Sequence, residues 1–117
     1  MDSILTSVKK IVGISEEDES FDIDLIMHIN SVLMILNQLG IGPTGGFSIS
    51  DKTSVWSDLL NESSIEAVKS YVGLKVRMIF DPPTSSAVAD AINKTISELE
   101  WRILCDVENK ANKTGGE

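Results

Sequence analysis

Apolar residues recur at helical spacing along almost the whole chain. Ile4, Val8, Ile11 and Val12 share one side of a helix predicted from Asp2 or Ser3 to Val12, with Gly13 placed to end it. A second helix is predicted from Ser20 to Leu39, roughly 30 Å long at about 1.5 Å per residue. Ser20 is positioned to cap it, Asp22 and Asp24 suit its N-terminal turn, and Gly40 follows its end. Leu25, Ile29, Val32, Leu36 and Leu39 form its main stripe, and Ile26, Met27, Leu33 and Met34 widen the apolar arc. An arc that wide implies burial on two sides, within a bundle or against another subunit.

Residues 40–52 (GIGPTGGFSISDK) break the pattern with glycines and a proline, and predict a mobile loop or a short extended excursion. Phe47–Ser50 is the one strand-like stretch. A short helix is predicted over Thr53–Leu60, where Val55, Trp56, Leu59 and Leu60 anchor the far end of the loop by burying large side chains. Ser63 and Glu66 then have capping-box spacing at the start of a helix that runs to Phe80. Its core stripe is Ile65, Val68, Val72, Val76 and Ile79, and Glu66, Lys69, Gly73 and Arg77 form the other face. Asp81-Pro82-Pro83 stops that helix, because a residue before proline is pushed out of the α region. Thr84 or Ser85 can cap a last helix from Ser86 to Val107, with Val88, Ile92, Ile96, Leu99 and Ile103 inward. Residues 108–117 hold no apolar residue larger than Ala and predict a flexible C-terminal tail. The fold class is therefore all-α: one domain over 1–107, a small bundle of about four to five helices, followed by that tail.

Composition agrees with this and removes most chemistry. The 117 residues are 42% hydrophobic and 24% charged, near the average for a soluble domain and unlike a disordered chain. Ten basic against eighteen acidic side chains give a net charge of -8, which argues against gripping nucleic acid through a basic face. Glu16, Glu17, Asp18, Glu19, Asp22 and Asp24 supply most of that excess, a run read as a solvated linker or helix start. The single Cys105 leaves no disulfide framework within the chain, and the single His28 leaves little for a triad or a histidine metal site. Each reads as an ordinary residue of an amphipathic helix. No targeting signal or bilayer-spanning stretch is recognised, and the sequons at Asn61, Asn93 and Asn112 read as coincidences of composition.

Three chemical patterns come close and fall short. The acidic run lacks the central glycine and alternating ligands of a calcium loop. The glycines at 40–46 precede Lys52-Thr53, but Asp51 stands where a phosphate loop needs glycine and no strand leads into it. Glu62 and Glu66 are the nearest approach to the paired carboxylates of all-helical nucleotide pyrophosphatases. The expectation is a protein that is not an enzyme, with no cofactor and no metal. Trp101 is the more informative residue. It falls between the core positions Leu99 and Ile103, so either the arc is wide enough to hold it or it belongs to a second apolar face for a protein partner.

His28–Pro43 (HINSVLMILNQLGIGP), Trp56–Leu60 (WSDLL) and Val68–Ile103 (VKSYVGLKVRMIFDPPTSSAVADAINKTISELEWRI) together resemble the head-to-tail connector, or adaptor, proteins of tailed bacteriophages and related prophages. The stretch from Leu74 to Ile103 is the most specific part of the likeness. The resemblance implies a ring, commonly of about twelve copies, beneath the portal of the filled head. Such a ring extends the DNA channel, lets DNA pass without specific binding, and presents a surface to a downstream stopper or tail connector protein. It also implies that the last helix and C-terminal segment meet the portal, which makes Trp101, Leu104, Val107, Lys110 and Lys113 the portal-contact candidates. Met27, Met34, Phe47 and Trp56 are the subunit-interface candidates. The implied location is the virion head–tail interface, after assembly in the host cytoplasm and with no membrane partner. The alternatives are a pyrophosphatase-like enzyme or a small helical module that binds one host protein.

Overall fold

The computed structural model describes residues 3–60 and 64–115, with side chains as far as Asn109. Among the described residues five helices appear in chain order: α1 (Ile4–Val12), α2 (Asp22–Gln38), α3 (Trp56–Leu59), α4 (Ile65–Phe80) and α5 (Ser86–Gly115). Among the described residues the only β pairing is an isolated bridge between Ser3 and Val55, so Phe47–Ser50 forms no strand.

The ends of α1 follow the sequence signals. Ser3 caps it by accepting a hydrogen bond from the Thr6 N–H, and Gly13 ends it at φ 85°, a left-handed conformation that costs glycine little. The start of α2 does not follow them. Phe21, not Ser20, precedes its first helical residue, and no side chain caps it. Ser20 is held instead by its own N–H, which donates to Asp18 Oδ1 at 3.0 Å.

The acidic run has more structure than a solvated linker. Lys9, in the last turn of α1, is buried, and its ammonium lies 2.6 Å from Asp22 Oδ1. It also donates to the backbone carbonyls of Glu16 (3.2 Å) and Asp18 (2.8 Å). One lysine thereby pairs with a carboxylate, donates to two carbonyls and folds the segment back over α1.

α4 is the central helix and packs against α1, α2 and α5. Val68, Tyr71, Val72 and Val76 are buried on it. Two assignments change: Ile79 is exposed, while Gly73, placed by spacing on the polar face, is buried. Three neighbours surround α4, so its buried arc exceeds one stripe, and the missing Cβ of Gly73 lets α1 come close. Ser63 lies outside the described residues. Ser64, next to the helix, makes no side-chain cap.

Ser85 begins α5 as expected, accepting from the Val88 N–H at 3.3 Å. Ile96 and Ile103 are buried, Ile92 and Leu99 pack partly against the core, and Val88 is exposed. The helix continues to Gly115, beyond the Val107 end set by the last apolar residue. Backbone hydrogen bonding within a helix does not need an apolar face, so loss of the stripe does not mark its end.

The loop after α2 is tied down at several points. Ile41 and Ile49 are buried. The Asn30 amide, on α2, donates to the Ile49 carbonyl (2.9 Å) and accepts from the Ile49 N–H (2.8 Å). Asn37 donates to the Pro43 carbonyl at 2.8 Å. Trp56 and Leu59 then bury α3 against the bundle, as the sequence predicts for an anchor, and Trp56 Nε1 donates to Ser7 Oγ at 3.0 Å.

Candidate functional site

Among the described residues no group of three or more His, Cys, Asp and Glu side chains could hold a metal ion, and no helix is long and apolar enough to cross a membrane. Glu66 is exposed and pairs with Lys69 at 3.5 Å, while Glu62 lies outside the described residues. The Asp51 carboxylate accepts from the N–H and hydroxyl of Thr53, which hold it below the usual carboxylate range. His28 is half-buried with its ring against Phe80. The conspicuous surface features are apolar side chains left outside the core.

The first group lies on α2. Ile23, Met27 and Met34 are 77%, 63% and 59% exposed, and their spacing of four and then seven residues places them on one side of the helix. Leu25, Ile29, Val32, Leu33 and Leu36 occupy the opposite, buried side. Ser31 interrupts the outward stripe, but its hydroxyl turns back to the Met27 carbonyl at 3.0 Å. Beside Met34 the loop closes a cleft of about 390 Å³, lined by Asn30, Asn37, Gly45, Gly46, Phe47 and Ser48 as well. Met27, Met34 and Phe47 therefore share one surface. Trp56 does not join them: it is a core residue whose indole is satisfied inside the subunit, so it offers nothing to a neighbour.

The second group lies on α5. Trp101 is 64% exposed, on the side of the helix away from Ile96 and Ile103. Beside it Arg102 and Glu98 form a surface ion pair at 2.7 Å. Leu104 and Val107 are half-buried, and Val107 packs against the core, its Cγ1 3.0 Å from where a Cβ on Gly40 would stand. Of the portal-contact candidates with described side chains, Trp101 is thus the freest. Lys110 and Lys113 fall on the helical backbone of α5, but their side chains lie outside the described residues.

Sequence reasoning missed two parts of this surface. Ile23 sits between two aspartates at the start of α2, and only its spacing from Met27 and Met34 could have revealed the stripe. A groove of about 470 Å³ between α4 and α5 is lined by Leu74, Ala87, Val88, Ala91, Ile92 and Thr95. Its signal was the pair of small residues Ala87 and Ala91, four apart beside Val88, which the stripe had assigned to the core.

Charge is placed unevenly around these surfaces. In the segment that leads into α2, the Ser15 hydroxyl lowers the Glu17 carboxyl and the Ser20 N–H lowers that of Asp18. Both are ionised at neutral pH and keep that end of α2 negative.

A family model described as phage connector protein matches residues 4–110. No curated protein and no solved structure matches the chain.

Proposed function

We propose that this chain, which belongs to the phage connector protein family, forms a ring beneath the portal that joins head to tail and extends the DNA channel. Membership makes it a structural phage protein that associates with other head–tail proteins. In the finer reading each copy contacts two neighbours, and the Trp101 side of α5 with the segment beyond it docks on the portal. The opposite rim of the ring meets a stopper or tail connector protein. The particle is assembled in the host cytoplasm and the protein remains at the head–tail interface of the virion.

One observation carries this reading: a single small subunit leaves large apolar side chains outside its core, and the most exposed of them lie on two helices, Ile23, Met27 and Met34 on α2 and Trp101 on α5. Burying each apolar square ångström contributes about 25 cal/mol, so both surfaces favour partners. Distinct faces on one subunit suit heterologous contacts, which close into rings when the rotation allows. A net charge of -8 suits a channel that duplex DNA traverses without being held, since phosphate binding depends on cationic side chains.

Mixing the protein with its cognate portal and imaging the product tests the proposal. A ring at the narrow end of the portal is expected. A portal that remains bare at stoichiometric excess would overturn the ring, and tight binding of duplex DNA at physiological salt would overturn the passive channel.

A further inference from the structure

We propose that the groove between α4 and α5 receives the outward face of α2 from the neighbouring copy, which makes this helix-in-groove contact the joint of the ring. The inference rests on the ring reading and goes further by naming both sides of the contact.

Dimensions, chemistry and charge agree. The α2 stripe from Ile23 to Met34 covers eleven residue steps, about 16 Å at about 1.5 Å per residue. The α5 wall of the groove, Ala87 to Thr95, covers eight steps, about 12 Å on the same rise. The groove therefore accommodates most of the stripe and leaves one end free for the Phe47 loop. Ala87 and Ala91 are small and Met27 and Met34 are long and unbranched, so the two surfaces have the hollows and the adaptable knobs that helix packing requires. Residues 15–38 carry six acidic side chains and no Lys or Arg, a charge of -6. Residues 65–95 carry Lys69, Lys75, Arg77 and Lys94 against Glu66, Asp81 and Asp90, a charge of +1. An α2–α2 contact would bring two -6 segments together, whereas α2 in the groove meets a stretch that carries no excess negative charge, so the contact between unlike faces avoids that repulsion.

The placement also permits propagation. α4 packs against both α2 and α5, and the stripe faces away from α4, so ridge and groove occupy different faces of one subunit. Contact between unlike faces adds copies head to tail, while contact between like faces would stop at a dimer.

Single-cysteine pairing on the assembled portal complex tests this. In a Cys105→Ser background, a protein carrying both Met27→Cys and Ala91→Cys is assembled on the portal and oxidised. A ladder of disulfide-linked species is expected from the double variant and none from either single variant. Rings that form without a ladder, or a Met27→Cys single variant that links to itself, would overturn the groove contact while leaving the ring intact. A portal without rings would overturn both. As a second arm, Ala91→Trp fills the groove from a position already exposed, so the helical circular dichroism should persist while ring occupancy falls on the order of tenfold. Unchanged occupancy would likewise overturn the contact.

Discussion

Gly73 on α4 sits directly against Ile11 on α1: a Cβ on Gly73 would lie 3.2 Å from both Ile11 Cγ1 and Cγ2, and closer still to Cδ1. Rotation about χ2 can move Cδ1 away, but the β-branch keeps a γ carbon near the contact. In an exposed helix interior, Gly→Ala stabilises by about 1 kcal/mol. Here Gly73→Ala is expected to destabilise by about 1–3 kcal/mol, because the added methyl overpacks the α1–α4 contact. Urea denaturation measures it, and Ile11→Ala combined with Gly73→Ala should recover part of the loss. A Gly73→Ala protein more stable than the parent would show that the helices do not meet at this residue.

Lys9 holds the acidic segment to α1 with three oxygens around one buried ammonium. Lys9→Met keeps the stem and removes the charge, leaving Asp22 without its counter-ion and two carbonyls without their donor. The expected cost is about 2–4 kcal/mol, near the lower end because Asp22 retains some access to water. The loss should persist in high salt, since a buried pair is poorly screened. Denaturation midpoints at low and high salt provide the check, and a loss that vanishes with salt would mark the pair as a surface one.

Most of the architecture was legible because it depends on local periodicity and caps. The stripes from Leu25 to Leu36 and from Val68 to Val76 fixed α2 and α4, and Gly13, Pro82 and Ser85 marked boundaries through backbone geometry. Gly73 was misplaced because a glycine carries no hydrophobic signal, and its role depends on a residue 62 positions earlier in the chain. The part played by Lys9 was hidden for a similar reason: charge alone suggests solvent, and only the returning segment supplies its partners. At the candidate surface, Met27 and Met34, which widen the apolar arc of α2 in the sequence, lie outside the core. Trp56 and Trp101 divided between core and surface according to neighbours remote in sequence.

Asn30 fastens the loop by using both ends of its amide on Ile49. Asn30→Asp replaces the donor with a carboxylate oxygen that faces the Ile49 carbonyl, and should destabilise more than Asn30→Ala. About 1–3 kcal/mol is expected for losing the pair of hydrogen bonds. Hydrogen exchange should show faster opening at Ile49 while α4 stays protected. Unchanged exchange at Ile49 would mean that burial of Ile41 and Ile49 alone holds the loop.

The outward residues make a contrasting prediction. Met27→Asp and Trp101→Ala alter side chains that contribute little to the core, so stability should stay within about 0.5 kcal/mol of the parent. Met27→Asp should instead reduce ring formation on the portal, and Trp101→Ala should weaken docking of the whole ring. Equal assembly of parent and both variants, measured by sedimentation with portal, would remove these residues from the interfaces.

Tyr71 gives a pH prediction that can be read without a mutant, because it is the only tyrosine in the chain. Its side chain is fully buried and its hydroxyl donates to Glu100 Oε2 at 2.9 Å, joining α4 to α5. Burial opposes the phenolate, and loss of the hydrogen bond and repulsion from Glu100 oppose it further, so the pKa is raised well above the usual tyrosine value. A group raised in the folded state contributes stability that is complete below its unfolded pKa, about 10, and is lost progressively as pH rises above that value. Ultraviolet absorbance of the folded protein should therefore show no tyrosinate at about pH 10–11, where a free tyrosine is largely ionised. Tyrosinate should appear only together with the loss of helical circular dichroism, and Glu100→Gln should lower the pH at which ionisation occurs. Tyrosinate formation near pH 10 with the helices intact would show that the phenol is open to solvent and that the α4–α5 hydrogen bond is not formed.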